Sequence, residues 1–96
     1  MNISKSDIVA SLAGRDSGRL FFVLETDGVY ATVADGKVRK LEHPKRKKLK
    51  HLRLAGQSDS RTAQKLRQGA PVLDSELRRE LAVFRETNQS QNQGGD

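Results

Sequence analysis

The sequence predicts a mainly β chain with C-terminal α structure: a small, partly closed β-barrel followed by two short helices. Three observations lead there. Short apolar runs alternate with tight-turn signals as far as Gly56. Two Asp-Gly pairs, Asp27-Gly28 and Asp35-Gly36, flank a strand-like stretch and read as hairpin turns. Beyond Gly56 the apolar spacing changes from the period of a strand to that of a helix.

Ile8, Ala10 and Leu12 alternate with Val9 and Ser11, the pattern of a half-buried strand. Gly14 and Gly18 bracket a turn, AGRDSGR. The run Leu20-Phe21-Phe22-Val23-Leu24 is apolar throughout, which suits a strand covered on both faces. Phe21 and Phe22 then point to opposite sides, one into the barrel and the other beneath a helix. Two-residue type I′ turns at the Asp-Gly pairs would join antiparallel strands at roughly 20–26, 29–34 and 37–42. Val38 and Leu41 have opposite parity, which a bulge near Arg39-Lys40 would reconcile. Pro44 ends that regularity, and Leu49, Leu52 and Leu54 anchor a turn and a closing strand at about 51–55.

Ser58 or Asp59 caps a first helix running through Gln68, with Gly69 as its stop. Asp74 caps a second, whose Leu73, Leu77, Leu81 and Phe84 form one apolar stripe. Its Arg78, Arg79 and Arg85 mix with Glu76, Glu80 and Glu86 as on an ordinary solvated face. Residues 1–56 are thus expected to form the barrel, 57–86 a helical extension packed on it, and 87–96 a disordered tail.

Charge is the other strong signal. Lys37 to Arg53 holds nine of the chain's eighteen Lys and Arg residues against one acid, Glu42. The residues before that block are net acidic and those after it neutral, so it generates the whole net charge of +6. Such a concentration repels itself unless an anion neutralises it. Lysine outnumbers arginine six to three in the block, favouring contact with a phosphate backbone over planar base recognition. No cysteine is present, so disulfides and thiolate metal sites are excluded, and a reducing, cytoplasmic setting is expected. No apolar run has the length of a membrane span, and MNISKSD has no signal-peptide core.

AGRDSGR followed by LFFVL resembles the KOW module, a small SH3-like barrel unit of translation and transcription proteins. The string VADGKVRKLEHPKRKKLKHLRL is similar to bacterial KOW-domain RNA-binding proteins related to the fourteen-e family of large-subunit ribosomal proteins. Asp35-Gly36 and Lys50-His51-Leu52 stand at the matching places, and VLDSELRRELAVF is similar to the closing helix of such chains. The resemblance covers about residues 7 to 86. It departs at the start, where Ser6-Asp7-Ile8-Val9 replaces the usual Gly-X-Val. It implies an SH3-like barrel and RNA binding, with ribosomal RNA, the ribosome or ribosomal proteins as partners.

The candidate RNA-binding residues are Lys37, Arg39, Lys40, Lys45, Arg46, Lys47, Lys48, Lys50, His51 and Arg53 in the block. Arg15 and Arg19 join them from the glycine turn, unless Asp16 pairs with one of those arginines structurally. Tyr30 is the one plausible stacking aromatic, and the small aromatic content favours structured RNA over single strands. If about five bases of the block contact phosphates, log affinity should fall with log salt at a slope of about −4. His43 and His51 lack the companions a metal site needs, and no nucleophile–base pair or phosphate-cradling lysine loop is visible. The expected protein is a non-enzyme without cofactor, membrane or small-molecule substrate. The competing expectation is a protein–protein adaptor whose basic surface docks on an acidic partner in a transcription or translation complex.

Overall fold

A computed structural model describes the backbone of residues 2–94 and the side chains of residues 2–87. Five strands form one antiparallel sheet: β1 (Ile8–Ser11), β2 (Leu20–Thr26), β3 (Tyr30–Ala34), β4 (Lys45–Lys48) and β5 (Leu52–Gly56). Their order is β4-β3-β2-β1-β5, a meander whose last strand returns beside the first. Two helices follow, α1 (Arg61–Gln68) and α2 (Asp74–Gly94). The coarse prediction, mainly β with C-terminal α, agrees with this architecture.

The two edge strands, β4 and β5, are consecutive in the chain and separated only by a one-turn 3-10 helix, Leu49–His51. Leu49 N–H donates to Val29 carbonyl, extending the β3–β4 ladder, and Leu12 N–H donates to His51 carbonyl, extending the β1–β5 ladder. Three residues therefore bring opposite edges of the sheet together, and the sheet must curl. Register shifts assist the curl, at Leu24 between Val23 and Glu25 on β2 and between Ile8 and Val9 opposite β5. The bulge that the sequence suggested at Arg39-Lys40 does not occur, because that segment is not a strand.

Curling gives the sheet two buried faces. Val9, Phe21, Val23, Ala31, Val33 and Leu52 fill the concave side. Ile8, Phe22 and Ala34 on the other side meet Ala63 and Leu66 of α1 and Leu77 and Leu81 of α2. Phe21 and Phe22 thus divide between the two cores as adjacent strand positions must. β1 is consequently buried at all four positions, not half-buried as its alternation suggested, while Leu12 lies beyond the strand and is exposed. Each fully buried Phe or Leu contributes roughly 1.5–3 kcal/mol, and Leu77→Ala would remove about 2–5 kcal/mol.

Both Asp-Gly turns depart from type I′. Asp27 and Asp35 do not have positive φ, whereas Gly28 and Gly36 do. The β2–β3 connection is three residues long, with Asp27 Oδ1 accepting the amides of Val29 and Tyr30 at 2.9 and 2.7 Å. At the second turn Asp35 Oδ1 accepts the amides of Lys37, Val38 and Arg39 at 2.9, 3.0 and 2.8 Å. Those amides are lost to any ladder, so the strand expected at 37–42 does not form. Pairing with β3 resumes at Lys45, directly after Pro44, which precedes a strand instead of ending one.

The helix ends also differ in detail. Ser60, not Ser58 or Asp59, caps α1 by accepting Ala63 N–H, while Ser58 positions the Ser60 hydroxyl. Gly69 terminates α1 in the left-handed region as expected. At α2 the Glu76 carboxylate accepts Leu73 N–H, freeing Asp74 to accept the amide of Leu41 across the molecule at 2.8 Å. Leu73 is therefore at the helix start and exposed, not part of the buried stripe. The backbone of α2 runs from Asp74 to Gly94, into the stretch from Thr87 for which the sequence suggests a tail. The last residues of that expectation, 95 and 96, lie outside the described residues.

Candidate nucleic-acid interface

The block from Lys37 to Arg53 is divided among a coiled loop, an edge strand, the 3-10 turn and the start of β5. Its loop end is fixed by Asp35, whose second oxygen faces Arg19 at 3.6 Å. Arg39 then reaches Asp16 through Nε and one terminal nitrogen, at 3.2 and 3.1 Å. Lys47 approaches the same carboxylate at 3.9 Å, with only 11% of its side chain exposed. Asp16 is buried in the glycine turn. The AGRDSGR turn therefore presents an acid that binds two cations of the basic block. Asp16 does pair with arginine, but with Arg39 and not with Arg15 or Arg19.

Pairing across β3–β4 sets Lys47 opposite Ala31 and Lys45 opposite Val33, and Arg46 opposite Thr32 and Lys48 opposite Tyr30. Alternation puts Arg46 and Lys48 on the outer surface. Arg46 lies over the Tyr30 ring, 4.2 Å from its centroid, and meets Asp27 at 3.2 Å. The amides of Tyr30 and Val29, and then Arg46, hold the Asp27 carboxyl below its ordinary value. Both partners of that ion pair are more than half exposed, so it adds little stability. Tyr30, the one aromatic that could stack, is half-buried, and Arg46 lies over one face of its ring.

Three of the nine bases, Arg39, Arg46 and Lys47, thus have carboxylate partners. The other six, Lys37, Lys40, Lys45, Lys48, Lys50 and Arg53, have none among the described residues and are all exposed. His51 and Arg15 are exposed likewise, whereas Arg19 is half-buried beside Asp35. β4 pairs only with β3, so its lysine-rich outer edge is open, as charged edge strands commonly are. Beside it, Ile3, Leu12, Leu49 and Leu52 floor an open groove of about 590 Å³ rimmed by Lys50 and Arg53. A neighbouring groove places Lys48 and Lys50 against Val29 and Tyr30. Among the described residues no three His, Asp or Glu side chains gather as a metal site requires, and no helix is long and apolar enough to cross a membrane.

Sequence reasoning missed the organising acids. Asp35 read as a turn residue and Asp16 as a partner for Arg15 or Arg19 alone, and nothing local indicated that the two would collect Arg39, Lys47 and Arg19. It also missed Arg78, which donates to Gly36 carbonyl at 2.6 Å and ties α2 to the basic loop. No family model and no curated protein matches the chain.

Proposed function

We propose that this chain is an SH3-like barrel of the KOW kind that binds structured RNA, most plausibly ribosomal RNA, in a ribosome- or translation-associated role. The observation that carries the reading is the set of six exposed cations without acid partners among the described residues, spread over the loop, β4, the 3-10 turn and β5 while two buried aspartates fix the loop beneath them. Unneutralised cations on a rigid surface release counterions from a phosphate backbone, and their fixed placement favours a ligand of fixed shape. The strand order, with β5 returning beside β1 across a 3-10 turn, supports the barrel assignment. The protein acts by binding, without a catalytic step.

One observation favours a second reading. The apolar groove rimmed by Lys50 and Arg53 suits an acidic protein segment carrying an apolar anchor. Titrating salt against binding to ribosomal RNA, duplex DNA and an acidic polypeptide separates the two. RNA binding through the six free cations predicts a log–log slope of about −4 to −5 with RNA preferred. Preferred binding of the acidic polypeptide would support the adaptor. Equal affinity for all three would reduce the block to nonspecific charge.

A further inference from the structure

Arg78 and Arg85 stand two helical turns apart on one face of α2, where the sequence alone assigns them to solvent. Both are exposed, and the fold sets them beside the loop that opens the basic block. Arg19, Lys37, Arg78 and Arg85 line one cleft of about 290 Å³, floored by Leu81 and Ala82. Among the described residues the only acid lining it is Asp35, one oxygen of which is committed to three backbone amides and the other to Arg19. Arg19 Nε is buried and has no acceptor among the described residues.

The loop side of the cleft is tied to α2 by direct contacts. Arg78 donates to Gly36 carbonyl, Asp74 accepts Leu41 N–H, and Gly36 lies against the Asp74 carbonyl with no room for a side chain. Arg78 and the start of α2 are therefore joined directly to the loop. From the cleft, Asp35, Arg39 and Asp16 lead without interruption to Lys47 on β4. That chain of contacts links the cleft to the basic block.

We infer that this cleft is a phosphate subsite, occupied by a backbone phosphate of the same RNA, so that α2 forms part of the binding surface. The inference rests on the RNA-binding reading and extends its footprint from the sheet edge to the helical extension. Lys37 and Arg85 supply exposed charge, while Arg19 and Arg78 are held from below by Asp35 and Gly36.

The test is Lys37→Ala/Arg85→Ala in the full chain, with binding to a structured ribosomal RNA fragment titrated against salt. Losing two phosphate contacts makes the slope shallower by about 1.5 and weakens binding roughly ten- to thirtyfold near 0.15 M salt. Arg61→Ala/Arg79→Ala, which removes equal charge outside the cleft lining, keeps the wild-type slope, and so does the charge-preserving Lys37→Arg/Arg85→Lys. Melting by circular dichroism shows each variant folded, since the replaced side chains are exposed. Wild-type slope and affinity in Lys37→Ala/Arg85→Ala, alongside loss of binding when β4 and β5 bases are removed, would overturn the cleft alone. A wild-type protein that binds no structured RNA would overturn both readings. If polyglutamate binding falls as much as RNA binding, the cleft recognises carboxylates and the phosphate assignment is wrong.

Discussion

Gly36→Ala tests the joint between the basic loop and α2, which positions the loop end of the basic block. Gly36 has φ +78°, and a Cβ there would collide with the carbonyl group of Asp74, which belongs to helix backbone and cannot swing aside. Alanine in the left-handed region costs roughly 1–2 kcal/mol. Forcing apart well-packed groups adds roughly 1–3 kcal/mol. Displacing the loop also weakens Arg78 to Gly36 carbonyl and Leu41 amide to Asp74, each worth about 1 kcal/mol. Gly14→Ala is a matched control, because Gly14 has the same φ of +78° and nothing within 4 Å of its would-be Cβ. It carries only the conformational cost. The two variants should therefore differ by about 2–3 kcal/mol in urea denaturation, or by at least about 8 °C in melting temperature. Equal stability of Gly36→Ala and Gly14→Ala would refute the clamp between loop and helix.

Asp16→Asn should destabilise the chain by about 1–2 kcal/mol, since Arg39 and Lys47 lose the one carboxylate they share, and urea titration reads this directly. A wild-type midpoint would mean that Asp16 does not hold the block. Asp27 titrates below its ordinary value of 3.8, so its contribution is fully present above that value and is lost as pH falls through the lower folded-state midpoint. Carboxyl carbon shifts followed by NMR should show that depressed midpoint, and Tyr30→Ala/Arg46→Ala should move it only slightly because backbone amides are its main cause.

Elements were legible where one local pattern decided them. The apolar run around Phe21 and Phe22 announced a strand buried on both faces, and Gly69 announced a helix stop. The stretch 37–42 was not legible, because strand propensity there competes with a single Asp35 side chain that captures three amides. The position of β4 follows from that capture, and no periodicity within KRKK reveals it. The block itself was visible as charge, but its division into paired and free cations was not. That division depends on Asp16, separated by 23 positions from Arg39, and on how far the sheet curls. Arg78 and Arg85 are exposed, as a solvated face implies, but their place beside Gly36 and Lys37 was not legible, for a related reason. Helical spacing shows which residues share a face, but not what the fold sets opposite it.

The most direct measurement of the central claim is the affinity for structured ribosomal RNA, near 0.15 M salt, of the variant Lys45→Ala/Lys48→Ala/Lys50→Ala/Arg53→Ala. These four bases are exposed and without acid partners among the described residues, so their removal leaves the Asp16 and Asp27 ion pairs in place. The account predicts a folded protein whose affinity falls by more than about a hundredfold and whose salt slope is shallower by about 3. A folded variant that binds within about threefold of wild type, with an unchanged slope, would contradict it.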